Sequence, residues 1–235
     1  MPIPSLHAKP TEAELNDSAK LYNTLPYGGD QRQVPEAHLQ EILQLILTNG
    51  VKDKFGVHLI HGHLQIGKGE VMFGKALTNA NARGIWTRPT SITELDLSNI
   101  HGHIFVLSSD CRFTAYEYRE GPPPAMNSND NIFIAQFAKF LQKHGLTDLL
   151  GLQVLAGYRA KMQEFDLSGS GPEGWSTEAD KTTGIIELKG NDVHAPMQNG
   201  NHRLFQDSKL TDEESRLNVL KREAIILVPS VGLTE

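Results

Sequence analysis

The chain has one cysteine, Cys111, in 235 residues. A single thiol excludes an internal disulfide and favours a reducing compartment. Cys111 lies beside Asp110 at an expected turn, and only Arg112 is near enough in sequence to lower its pKa. An incidental thiol is therefore the expectation, ahead of a nucleophile. Long apolar runs are also missing. No stretch approaches the roughly 20 residues that a membrane span needs. Residues 1–30 are polar, with several prolines and no apolar core of a signal peptide. Basic clusters are absent too, since 22 Lys and Arg are spread thinly against 28 Asp and Glu, for a net charge of −6. Nucleic-acid binding needs a concentrated basic surface, and anionic membranes need the same, so neither is expected as a partner. A cytoplasmic location is the default.

Nucleotide and serine-hydrolase motifs are likewise lacking. Gly67-Lys68-Gly69 does not have phosphate-loop spacing, and no G-x-G-x-x-G occurs. Gly169-Ser170-Gly171 is too short for a nucleophile elbow.

What is present is an ordinary globular composition, 39% hydrophobic and 21% charged. A chain of this length buries about 70% or more of its unfolded surface, so it needs no metal merely to fold. A single domain over 1–235 is expected, with an N-terminal helix and loop arm over 1–34. A Gly/Ser/Glu-rich loop or lid is expected over 168–181.

Thr11 and Glu14 form a capping-box pair, which predicts a helix starting at Thr11. Pro35 at a first helical position, apolar residues from Leu39 to Leu47 at helical spacing, and Gly50 as a stop predict a second. A third is expected over about 129–144, ended by Gly145, and a fourth from Thr211, boxed by Glu214. Strands are expected over 57–66 and 71–75, joined as a hairpin by Gly67-Lys68-Gly69, and over 84–87. A second hairpin is expected from 103–108 and 112–119, then strands over 152–156, 162–167 and 184–188. Residues 224–228 read as a terminal strand or docking segment. Strand–helix alternation is absent, so a doubly wound parallel sheet is not expected. The pattern predicts an α+β fold: a curved, mostly antiparallel sheet, closing in a barrel-like way, with about four flanking helices.

The strongest feature is a pair of triplets, His61-Gly62-His63 and His101-Gly102-His103. In a regular strand, residues i and i+2 share a face. His61 and His63 would then point with Val57 and Leu59, and His101 and His103 with Phe105 and Leu107. Gly62 and Gly102 mark a bulge or a close backbone approach. Were the strands neighbours, four imidazoles would converge as metal ligands, with Glu70 as a further ligand or catalytic carboxylate. The cofactor expected is a divalent transition metal, iron or zinc. The competing reading is a hydrogen-bonded cluster of core histidines. His58 falls on the other face of a regular strand and is expected at the surface or behind the ligands.

Other residues able to carry chemistry are His202, a loop general base with Arg203 beside it for an anionic group, and His194. Tyr116 is an acid–base candidate, with sheet packing as the competing account. Trp86 and Trp175 are candidates to line a substrate pocket, Trp86 also reading as core.

The H-x-H…E pattern resembles that of cupins, although six residues separate His63 from Glu70, longer than the cupin spacing, and Pro196 to His202 does not match the later cupin motif. The segments FGVHLIHGH, LDLSNIHGHIFVL and NGNHRLF resemble a family of uncharacterised fungal proteins from about Leu21 to Phe205. That resemblance implies a fungal cytosolic protein tailoring small metabolites and carries over no catalytic residue. The function expected is a metal-dependent enzyme, an oxygenase or a lyase or isomerase, acting on an apolar small molecule. The alternatives are a metal-free isomerase, cyclase or lyase using histidine acid–base catalysis, and a non-catalytic small-molecule binder. A homodimer is the expected form of self-association.

Overall fold

The computed structural model describes residues 3–27, 31–79, 82–155, 162–167 and 184–189. Helix α1 spans Glu12–Tyr22 and is capped by the expected box, in which the Thr11 side chain accepts from Glu14 N–H and the Glu14 carboxylate accepts from Thr11 N–H. Helix α2 spans Glu36–Thr48. Pro35 is its N-cap, one position earlier than expected: ψ of 135° keeps it extended while its carbonyl accepts from His38 and Leu39. Gly50, at φ 67°, turns the chain out of the helix, a conformation L side chains resist. Helix α3 spans Ser128–His144, capped by Asn127 with Asp130 and ended by Gly145 at φ 61°.

The strands are β1 Phe55–Leu59, β2 Glu70–Asn79, β3 Ala82–Ser91, β4 Ile100–Leu107, β5 Phe113–Glu120, β6 Leu150–Val154, β7 Met162–Leu167 and β8 Gly184–Lys189. They form one sheet in the order β1-β6-β4-β5-β2-β3-β8-β7. Among the described strand-to-strand pairings only β2 with β5 is parallel, so the sheet is mixed and mostly antiparallel. The fold is α+β. Among the described residues the edges β1 and β7 do not pair, and barrel closure is not seen. Among the described residues three α-helices flank the sheet, where about four are expected over the whole chain. The segment from Thr211, the loop over 168–181 and the stretch 224–228 lie outside the described residues.

Two expectations about pairing change. The hairpin across Gly67-Lys68-Gly69 does not form, because β1 pairs with β6, and β2 pairs with β3 and β5. The strand expected over 57–66 ends at Leu59. Beyond it Ile60 N–H donates to the Leu149 carbonyl and Gly62 N–H to the Pro26 carbonyl, which pulls the first triplet away from the ladder. The second hairpin, β4 with β5, forms as expected.

The sheet has two unlike faces. On one, Phe55 stacks on Phe133 and Phe113 on Phe137, which seats α3. Val57, Phe105 and Leu152 line up by register on that same face, and all are buried. Tyr22 of α1 meets Tyr116 at 6.2 Å between ring centroids. The other face is polar at its centre, and it carries the histidines.

Candidate functional site on the polar face of the sheet

Alternation along β1 sends His58 away from the helices, because Phe55 and Val57 face them. Gln153, which pairs with Gly56 on one side and Ile104 on the other, shares that face. Two register shifts interrupt the β4–β5 ladder: between Gly102 and Ile104, where His103 is an extra residue bulged from β4, and between Ile104 and Phe105, where Tyr116 is extra in β5. The bulge overturns the facing expected from a regular strand. Gly102, not His101 or His103, lies with Phe105: a Cβ on Gly102 would sit 2.4 Å from the Phe105 ring. His101 therefore faces the polar side, directly opposite Arg119, which in turn lies beside Gly74.

The result is a belt of buried polar groups across β1, β6, β4 and β5. His58, His101, His103 and Gln153 are each at most 3% exposed, with Glu117 and Arg119 scarcely more. The Gln153 amide donates to His103 Nε2 at 3.2 Å. Burial pushes the His103 pKa well below 6.5, and the charge of Arg119, then His58 and His101, pushes it further. His103 is thus a neutral imidazole. His101 is lowered in the same direction, first by burial and also by Arg119, against the opposing effect of its hydrogen bond to Gly121.

The first triplet joins this belt at its β1 end. His61 is buried and its ring lies parallel to His58 at 5.1 Å, while the His63 ring stands edge-on to His61 at 4.5 Å. His61 Nδ1–H donates to the Leu59 carbonyl at 2.6 Å, and His63 N–H donates to the Tyr22 hydroxyl at 3.2 Å. His58, placed by its sequence position outside the group, is its link. The signal that could have found it is the short length of β1, which the Gly/His run at 61–63 disguised as a longer strand.

The two triplets are not on neighbouring strands, since β6 runs between β1 and β4. Among the described residues, the one trio of potential ligands whose donor atoms all lie within 4.8 Å of one another is His38, Glu41 and His144, on the helices. His61, His63, His101 and His103 do not make such a trio. Glu70 is held elsewhere: its carboxylate accepts from Gly67 N–H at 2.7 Å and closes the turn before β2. Tyr116 is fully buried against Tyr22 in the apolar core. Trp86 is buried in β3 and alternates with Thr87, whose side chain faces Gly74 and Arg119, so Trp86 sits on the opposite face. His194, His202, Arg203 and Trp175 lie outside the described residues.

A cleft of about 580 Å³ opens where the end of the β4–β5 hairpin meets the C-terminal end of α2 and the N-terminal end of α3. His101, Gly121, Glu120, Lys54, Asn127 and Asp130 are among the residues that line it. Lys54 and the buried Asp130 form an ion pair at 2.6 Å in its wall. His101 belongs to both cleft and belt. Its Nδ1–H donates to the Gly121 carbonyl at 2.9 Å, which leaves the lone pair on Nε2. That Nε2 is buried and has no hydrogen-bond partner among the described residues. His103 Nδ1 and Gln153 Oε1 are in the same condition. Each such group costs about 1–3 kcal/mol when left unpaired.

No described helix is long and apolar enough to cross a membrane. Compared with protein-family models, with curated proteins and with solved structures, the chain matches none, and the resemblance to fungal proteins finds no counterpart there.

Proposed function

We propose that this protein acts on a small molecule bearing hydrogen-bonding groups by metal-free histidine acid–base chemistry of the isomerase, cyclase or lyase kind, with His101 as the base. The observation that carries the reading is the state of the His101 ring. One nitrogen is fixed by a backbone carbonyl, the other keeps an unshared lone pair, and the ring lines the cleft. A base must be unprotonated to work, and the lowered pKa keeps His101 neutral at pH 7. Arg119, opposite it in the ladder, supplies positive charge beside any negative charge that develops. The polar cleft lining favours a ligand less apolar than the sequence suggested.

The test uses a chemical probe of buried bases, 5-nitrobenzisoxazole, whose ring opens when one carbon-bound proton is removed. The wild type is expected to open it at least about 100-fold faster than His101→Gln. The rate should rise with pH through a midpoint below 6.5. Equal rates for the two proteins would sink the proposal.

A second proposal keeps the metal-dependent enzyme, an oxygenase among its possibilities, with iron or zinc on His61, His63, His101 and His103. What favours it is that His61 and His101 each give Nδ1–H to a backbone carbonyl, the orientation that metal-bound imidazoles require. Elemental analysis of the wild type and of His61→Ala and His103→Ala separates the two. Metal lost from both variants supports the metal, and probe turnover unchanged by a chelator supports the free base.

A further inference from the structure

His38, Glu41 and His144 lie far along the chain from the triplets, and sequence spacing alone does not connect them. His38 and Glu41 are three residues apart in α2, so they project from one face of the helix. His144 is the last residue of α3. The two imidazoles stand with centroids 4.3 Å apart, both against the Phe140 ring. Their donor atoms and the Glu41 carboxylate all fall within 4.8 Å of one another. His38 Nδ1 is 3.6 Å from Glu41 Oε1, beyond a hydrogen bond. Two ligands of a tetrahedral metal with bonds of about 2.0–2.1 Å lie about 3.3 Å apart, close to that separation.

The second observation concerns the nitrogens themselves. His38 Nδ1 and His144 Nε2 are both buried, and neither has a hydrogen-bond partner among the described residues. A buried polar atom left unpaired is disfavoured. Here the two residues that carry such atoms, from different helices, offer donor atoms within 4.8 Å of each other and of an anionic oxygen, and one cation would bind all three. We infer that His38, Glu41 and His144 form a binding site for a divalent transition metal of the zinc type, clamping α2 to α3. Two imidazoles and a carboxylate are the borderline donor set that zinc accepts, and three protein ligands leave a fourth position for water. The carbonyl end of α3, carrying partial negative charge, also favours a cation at His144. This site is independent of the histidine belt and of the function proposed for it.

The experiment is a Zn²⁺ titration of the chelator-treated full chain, read with a competing chromophoric chelator and by thermal unfolding. The wild type should bind zinc and gain thermal stability on binding. His38→Gln, Glu41→Gln and His144→Gln should each weaken binding at least about 10-fold and lose the zinc-dependent rise in Tm. His7→Gln, a histidine outside both clusters, should keep both. Because Glu41 and His38 are partly exposed, those variants should match the wild type in the absence of zinc. Paramagnetic Co²⁺ added to the wild type gives a readout that needs no variant: it should broaden the ring signals of His38 and His144 before those of His61 and His101. Binding that is unaffected by all three substitutions, no binding at all, or first broadening at His61 and His101 would overturn the inference.

Discussion

Gly102 pairs with Tyr118 across the β4–β5 ladder, and a Cβ there would lie 2.4 Å from Phe105 Cζ and 2.9 Å from Ala115 Cβ. The glycine between the two histidines is therefore a space requirement of the core, filled by the Phe105 ring. Gly102→Ala should destabilise the protein by about 1–3 kcal/mol, the usual result of overpacking, with a lower urea midpoint as the readout. Asp130 makes a comparable case in polar chemistry. Its buried carboxylate accepts from Asn127 N–H at 2.7 Å and from Lys54 Nζ at 2.6 Å. Asp130→Ala removes a capping partner and leaves Lys54 without its counter-ion in the cleft wall. Lys54 keeps partial access to water, which limits the loss to about 2–4 kcal/mol in chemical denaturation.

At the scale of elements, the caps carry information that packing does not override. The Thr11–Glu14 box satisfies two backbone N–H groups at the start of an 11-residue helix. A helix of that length is marginal alone, so its ends matter. Thr11→Ala should cost about 1 kcal/mol, seen as faster amide exchange in the first turn of α1. The His103 bulge acts at the same scale with a different consequence. By inserting one residue it sends His101 to the polar face while Phe105 stays in the core. Without the bulge the alternation that faces Phe105 and Leu107 into the core would also carry His101 and His103 there.

For the whole molecule the buried belt fixes how stability follows pH. His101 and His103 have folded pKa values below 6.5, so below that pH the unfolded chain takes up protons that the folded one refuses. Their contribution is complete above pH 6.5 and is lost as the pH falls towards the folded values. Each histidine contributes a slope of up to about 1.4 kcal/mol per pH unit. Tyr118 acts at the other end. Burial raises its pKa from 10.0 to about 12, so its contribution is complete below pH 10 and is lost as the pH rises to 12. A shift of that size corresponds to about 3 kcal/mol. Thermal unfolding from pH 4 to 12 should show a plateau between these limits, and His103→Gln should flatten the acid side. An unchanged acid limb in that variant would contradict the burial of a neutral His103.

The sequence by itself determined the local features: the cap of α1, the end of α3 at Gly145, the β4–β5 hairpin and the α+β class. Each of these is set by contacts between residues close in the chain, which a linear reading can see. The histidine site was only half legible. The triplets mark where buried histidines gather, but the place of each ring turns on long-range terms. Leu149 and Pro26 took the backbone donors after Leu59, β6 entered between β1 and β4, and a single-residue bulge reset the facing of β4. Regular alternation sets His58 apart from His61 and His63, whereas the end of β1 at Leu59 brings its ring onto His61; His38 and His144 meet because α2 and α3 pack side by side. Partners separated by tens of residues are chosen by burial and ladder pairing, and these energies do not exist until the sheet has formed.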